Sequence, residues 1–349
     1  MKILVTGGAG FIGSNVVEYY AKKSFEVTCI DNLSRGKLLK KDISTVVNWD
    51  YLSNFKNVKL IKADIRDFEV LKAATKDIDA IVHTAAQTAV TTSIQDPRTD
   101  FEVNLSGTFN VLEAARLSNR NPVLIYCSTN KVYGNNVNNV EVREKATRYV
   151  FEDKFRNGVP ETFSTDLCEH TPYGCSKLAA DLYIQDYGHL YGLRSGVFRM
   201  SCIYGPHQFG VEDQGWIAWF IIATLLGYTI NIYGDGKQVR DVLYVSDLIN
   251  AYDSFINSGV RQEVFNVGGG PSNTISLIEL LNLLEKITGK RSKIRFEDWR
   301  QSDQKVYVSN ISKISEKLNW VPKISPEIGI RKLTKWISKN RDKFAEIKE

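Results

Sequence analysis

The sequence predicts an α/β fold: a doubly wound parallel sheet followed by a smaller mixed α/β lobe. Three observations predict it. Short apolar runs alternate with helix-like segments at residues 3–6, 27–31, 58–64, 80–85, 123–128 and 195–200. Each run ends in turn chemistry or a polar residue, and the regularity fades beyond Tyr204-Gly205-Pro206. This rhythm implies a parallel sheet covered by helices on both faces. Open sheets bind ligands beyond the carboxyl ends of their strands, so the site is expected there.

The first run, 3–6, is too short for a signal-peptide core and leads directly into Gly7-Gly8-Ala9-Gly10-Phe11-Ile12-Gly13, so the mature chain is expected to begin here. A helical run over 14–22 follows. A glycine turn between strand and helix holds a dinucleotide. Gly7 permits the tight turn, Gly10 lets the backbone approach a pyrophosphate, and Gly13 allows close helix–strand packing, while the helix N-terminus favours negative charge. Asp31, at the end of the second run, stands where a Rossmann-type fold keeps a carboxylate for the ribose hydroxyls. It repels a 2′-phosphate and so favours NAD over NADP, with Arg35 as the opposing charge.

Between residues 134 and 172 periodicity disappears, and Asn135-Asn136 and Asn138-Asn139 among mixed charges predict a long loop, functional or disordered. Pro172 then opens a helix on which Tyr173 and Lys177, four residues apart, share one face. A phenol of pKa about 10 is a poor base at neutral pH, but an adjacent ammonium stabilises the phenolate, so Tyr173 is expected to take a proton from an alcohol. Further helices are expected over 215–226, 245–256, 276–287 and 326–337, and 264–267 reads as a strand rejoining the first sheet. The expected domains are 1–200 for the dinucleotide, with a return strand near 264–268, and 201–349 mainly for the substrate. The longest apolar stretch, 216–226, falls short of the roughly 20 residues that span a bilayer. It predicts a buried or subunit-contacting helix and no membrane segment.

Composition narrows the class. The chain has 349 residues, of which 43% are hydrophobic and 24% charged, as in ordinary globular enzymes. A net charge of +5 with dispersed Lys and Arg speaks against nucleic acid as a partner. The five cysteines lack C-x-x-C spacing and are odd in number, which predicts reduced thiols and a cytoplasmic setting. The four histidines form no H-x-x-x-H pair, so no metal is expected.

The glycine turn, Asp31, Ser128-Thr129 and Tyr173 with Lys177 together resemble the extended short-chain dehydrogenase/reductase family of nucleotide-sugar enzymes, over nearly the whole chain. The resemblance implies that Thr129 binds the reacting hydroxyl, Tyr173 accepts its proton, Lys177 tunes Tyr173 and binds the nicotinamide ribose, and the hydride passes to NAD. It also implies a cofactor site made of Gly7, Gly10, Phe11, Ile12 and Gly13 in the turn and Asp31, Asn32, Ser34 and Arg35 after the second run. Asp64 and Ile65 would flank the adenine and Ala85, Ala86 and Gln87 the pyrophosphate side. Asn104, Ser128, Tyr173, Lys177 and Met200 complete the set.

On the substrate side, Arg240 in Gln238-Val239-Arg240-Asp241, and Arg300 with Asp303 in Arg300-Gln301-Ser302-Asp303, resemble the places where the family presents arginines to a pyrophosphate. The family's 4,6-dehydratases carry Asp-Glu after the catalytic Ser/Thr; here Asn130-Lys131 stands there, and neither residue can protonate a leaving hydroxyl. Epimerisation or simple oxidation remains. The strings 128–134, 171–177, 213–216 and 236–243, the insertion 134–172 and Gln208-Phe209 resemble the branch that inverts C2 of CDP-linked 3,6-dideoxy sugars. Cys202 occupies a position where 4-epimerases more often carry Asn. On this reading NAD stays bound and is regenerated in each cycle, and the partner is a nucleotide-diphosphate sugar, CDP preferred. Met200, Cys202 and Gln208 form an uncharged wall beside which the sugar turns over, with Thr129 on its reacting oxygen. The resemblance further implies a homodimer or homotetramer. The alternatives are a UDP-sugar 4-epimerase or another sugar-nucleotide epimerase, and, from a different class, a non-catalytic NAD-binding protein.

Overall fold

The computed structural model describes residues 1–39, 45–300 and 303–344. Its main sheet has seven strands: β1 (Lys2–Thr6), β2 (Glu26–Asp31), β3 (Val58–Lys62), β4 (Ala80–His83), β5 (Val123–Thr129), β6 (Ser195–Met200) and β7 (Gln262–Val267). They lie in the order β7-β6-β5-β4-β1-β2-β3, and the pairs β3–β2, β2–β1, β1–β4 and β4–β5 are parallel. This is a Rossmann-type doubly wound sheet. Residues Ile3, Leu4 and Val5 of β1 and Ala80, Ile81 and Val82 of β4 are fully buried, which is why these strands read as continuous apolar runs. Strand order reverses between β1 and β4, so the crevice that binds ligands in such sheets opens beside the glycine turn. The return strand is present as β7, at the edge beside β6.

By compactness the chain divides into two units that interleave in sequence. One comprises 1–132, 171–199 and 249–265, the other 133–170, 200–248 and 266–349. The core of the first joins Leu4, Ile30, Ile81 and Leu124 of the sheet to Val111 and Leu112 of the helix Gly107–Arg116 and Ala180 and Ile184 of the helix Thr171–Tyr191. In the second, the strand Val239–Tyr244 pairs antiparallel with Thr274–Ser276 and parallel with Cys202–Tyr204 and Val306–Tyr307. The helix Trp216–Leu226 buries eight consecutive residues from Ile217 to Thr224, so of the two expectations for this stretch it is a core helix. The helix Leu277–Thr288 starts at a capping box of Ser276 and Glu279.

The stretch 134–172 is not the structureless loop expected. The strands Val142–Glu144 and Tyr149–Phe151 form a short antiparallel hairpin. Arg148 is ion-paired with Glu279, and Tyr149 packs with Val239, Val306 and Val308. Three-residue strands are too short to show a period in sequence, and the residues they pack against are remote in the chain, Glu279 lying 131 residues from Arg148. Among the described residues no helix is long and apolar enough to cross a membrane.

Candidate active site

The glycine turn joins β1 to the helix Phe11–Lys22 in the first unit. Gly7 has φ +69°, where a side chain is strained, and a Cβ there would stand 2.6 Å from the Ala85 backbone. At Gly13 a Cβ would collide with the Gly7 carbonyl oxygen, so helix and strand could not pack this closely. Gly10 is the helix N-cap and offers no side-chain cap, leaving the N–H groups of Phe11 and Ile12 in the first turn available to an anion. Ala9 is pinned from both sides, its N–H donating to Asp31 Oδ2 (3.0 Å) and its carbonyl accepting from buried Asn48 (3.0 Å). Asn48 has no motif that could have marked it.

Asp31 also accepts from the Leu33 N–H (2.7 Å); burial raises its pKa, against the backbone N–H groups of Leu33, Ala9 and Gly10. A desolvated carboxylate at the end of β2 suits ribose hydroxyls. Asn32 links the segment to the next strand: its side-chain amide donates to Asp64 Oδ2 (2.8 Å) while its Oδ1 accepts from the Ser34 N–H (3.0 Å). Burial would raise the Asp64 carboxyl, but hydrogen bonds from Arg66 and Asn32 outweigh it and hold the group at about 2. Arg35 opens the short helix Arg35–Leu39, and burial brings its guanidinium down to about 10. Ile65 is buried against Gly107. Beyond β4 come Ala85, Ala86 and Gln87; Asn104 accepts from the Gln87 N–H (2.8 Å) and donates to its carbonyl (3.1 Å). Asn104 lies in a π-helical turn, Glu102–Ser106, and also donates to Asp100 (3.0 Å). The turn, the uncapped helix start and Asp31 together fit a dinucleotide.

Thr129 is the last residue of β5, and Tyr173 and Lys177 lie in the first turns of the helix Thr171–Tyr191. The structure brings the three together. Burial pushes the Tyr173 phenol up to about 12, with the neighbouring Thr129 hydroxyl opposing. Burial brings Lys177 down to about 8. Its Nζ donates to the Cys127 carbonyl (2.7 Å) and lies 4.1 Å from the centre of the Tyr126 ring. The ammonium is thus engaged by the strand backbone. The Ser93 hydroxyl accepts from the Tyr173 N–H (3.2 Å) and fixes the start of the helix, a contact with no sequence signal.

In the second unit Met200 ends β6 and Cys202 begins the neighbouring strand, where its sulfur accepts from the Trp216 indole N–H (3.3 Å). Gln208 is buried; its amide nitrogen donates to the Ile203 carbonyl (3.3 Å), and its Oε1 has no partner among the described residues. Each arginine is held by acids. Arg240 donates to Asp303 Oδ1 (2.7 Å), so Asp303 orients an arginine rather than standing free. Arg300 lies 3.2 Å from Asp213 and 3.8 Å from Glu212, with its guanidinium 3.9 Å from the centre of the Tyr233 ring. Gln301 and Ser302 lie outside the described residues.

Residues 3–268 match the family described as the NAD dependent epimerase/dehydratase family. The chain is 42% identical over 347 residues to CDP-paratose 2-epimerase of Salmonella typhi, covering 97% of this chain and 99% of that protein. It is 32% identical over 352 residues to UDP-glucuronate 4-epimerase of Thermodesulfobacterium geofontis, covering 99% and 98%. Among solved structures, UDP-glucose 4-epimerase of Thermotoga maritima with UDP-glucose superposes with a TM-score of 0.81 at 30% identity, covering 98% of this chain and 100% of the other. UDP-glucuronic acid 4-epimerase of Bacillus cereus, in complex with UDP-glucuronic acid and NAD, gives 0.79 at 28% identity, covering 97% and 100%. A doubly wound sheet with a glycine turn at its switch point, and similarity running the length of the chain, lead to one conclusion: the chain belongs to the NAD dependent epimerase/dehydratase family.

Proposed function

We propose that this NAD-dependent nucleotide-sugar epimerase inverts C2 of CDP-paratose to give CDP-tyvelose, through transient oxidation to a 2-keto sugar. The observation that carries the reading is the 42% identity to a CDP-paratose 2-epimerase, against 32% to a UDP-glucuronate 4-epimerase over a similar length. Oxidation at C2 is required by the chemistry, because a 4-ketone acidifies the hydrogens at C3 and C5 but leaves C2 without an activating group.

In this reading Thr129 holds the C2 oxygen and Tyr173 takes and later returns its proton. Lys177, anchored on the Cys127 carbonyl, would hold the nicotinamide ribose. NAD, when bound, would supply the hydride acceptor and a positive charge that favours the phenolate of Tyr173. The turn from Gly7 to Gly13 and Asp31 hold the cofactor through the whole cycle. Asn130, in place of a carboxylic acid, gives elimination no proton donor. Arg240 and Arg300 hold the pyrophosphate, and Met200, Cys202 and Gln208 give the sugar an uncharged wall. All five cysteines are free, in keeping with a cytoplasmic setting. Exposed Phe109, Leu182, Tyr183, Leu190 and Tyr191 on the helices Gly107–Arg116 and Thr171–Tyr191 support a homodimer or homotetramer.

The test offers C2-deuterated CDP-paratose beside CDP-glucose and UDP-glucose. Inversion of CDP-paratose with deuterium retained at C2 and NAD still bound is the expected result. Solvent hydrogen at C2, or NADH released at each turnover, would defeat it. Turnover of UDP-glucose at C4 alone would instead establish the 4-epimerase reading, favoured by the superposition on UDP-sugar 4-epimerases.

A further inference from the structure

We propose that Asp181 is a positioning residue of this active site, fixing the register of the helix Thr171–Tyr191 on β5 so that Tyr173 meets Thr129. The proposal rests on Thr129, Tyr173 and Lys177 being the catalytic group.

Tyr173, Lys177 and Asp181 follow one another at four-residue intervals, so they share one face of the helix. Three consecutive residues of β5 meet them. Tyr173 comes beside the Thr129 side chain, Lys177 donates to the Cys127 carbonyl (2.7 Å), and Asp181 Oδ2 accepts from the Ser128 hydroxyl (2.8 Å). The first two contacts belong to the reacting groups; the third touches neither. Asp181 is fully buried and accepts further hydrogen bonds from Gln185 (2.7 Å) on its own helix and from Arg199 Nε (3.0 Å) and Nη2 (3.2 Å) on β6. The carboxylate therefore ties the catalytic helix to two strands at once.

The pairing is selective because both charges are in the interior. Sliding the helix by one turn along β5 would pull the Asp181 carboxylate off the Arg199 fork and leave two unpaired buried charges, whereas apolar side chains at both positions would tolerate the slip. A buried ion pair is a poor source of net stability but a strong penalty on wrong arrangements. The negative charge also favours the ammonium form of Lys177, one turn away, as Asp100 does from the helix Pro97–Phe101.

The experiment compares Asp181→Asn, Asp181→Glu and the double variant Asp181→Leu with Arg199→Met in the full-length NAD-loaded enzyme. It measures kcat, KM for whichever nucleotide sugar the parent turns over, and Tm. For Asp181→Asn, kcat is expected to fall about 10- to 100-fold, as for a misplaced reacting group, with KM within about twofold. Asp181→Glu is expected to recover part of kcat. The double variant, which strands no charge, is expected to melt with the parent yet keep the low kcat. Full kcat in the double variant, or in folded Asp181→Asn, would overturn the proposal, as would losses of kcat that simply track Tm. If Asp181→Asn does not fold, the double variant decides alone. Tyr173→Phe is the control: if it keeps activity, the reading of the catalytic group fails, whatever Asp181 does.

Discussion

The two compact units hold their charges differently. In the first, the charges near the chemistry are buried and satisfied by backbone or by a buried partner: Lys177 on the Cys127 carbonyl and Asp181 on Arg199. In the second, Arg240 and Arg300 retain 13% and 30% of their side-chain exposure and pair with partly exposed acids, Arg240 with Asp303 and Arg300 with Asp213 and Glu212, so a phosphate can exchange for a carboxylate without stranding a buried charge. On the proposed reading, charges locked into the fold would serve reaction geometry and charges in exchangeable pairs would serve anion recognition. On that reading the first arrangement would be shared among enzymes of different substrates, and the second would be where a substrate is chosen.

The largest effect that tests this division is on Tyr173. Replacing it with Phe should lower kcat by about 10²- to 10⁴-fold, the usual contribution of a positioned acid–base group, while nucleotide-sugar affinity by calorimetry changes less than about threefold. An equal loss of affinity would break the division. Next, Arg240→Met or Arg300→Met should raise KM for the nucleotide sugar by about 10- to 100-fold, as expected when a charge-assisted hydrogen bond is lost. NAD content after purification should not change, and reduced NAD content would show that these arginines are not confined to anion recognition.

The pH profile sharpens the same contrast. Burial brings Lys177 from 10.5 to about 8, so its ammonium persists below that pH, and kcat/KM should fall about tenfold per unit above it as the charge is lost. The unfolded chain binds this proton more tightly, so the group's contribution to stability rises with pH between about 8 and 10.5. Activity and this part of stability therefore move in opposite directions, and a profile flat to pH 10 would remove Lys177 from the mechanism. The smallest effect is expected from Ser276→Ala in the capping box, which should cost about 1 kcal/mol in urea unfolding and leave kcat unchanged.

Much of the first unit was legible beforehand. The strands fall within a residue or two of the apolar runs, because a strand buried on both faces must be apolar throughout. The helix after the glycine turn begins at Phe11 rather than at residue 14, since Gly10 itself serves as N-cap. Tyr173 and Lys177 were legible through their spacing, and Asp181 lies on the same repeat, a signal that is present but carries no weight until its partners are seen. The insertion hairpin and the acid partners of the arginines were not legible. Arg240 and Asp303 are 63 residues apart, and nothing local links them.

The sequence by itself determined the doubly wound sheet, the dinucleotide turn with Asp31, and the spacing of the tyrosine and lysine, because each depends on a periodicity or a backbone geometry encoded within a few residues. Only the tertiary structure decided that Lys177 donates to the Cys127 carbonyl, that Asp303 orients Arg240, and that Ser128 and Arg199 converge on Asp181. Such pairings follow from which elements pack together, and a buried donor takes the acceptor that packing leaves within reach.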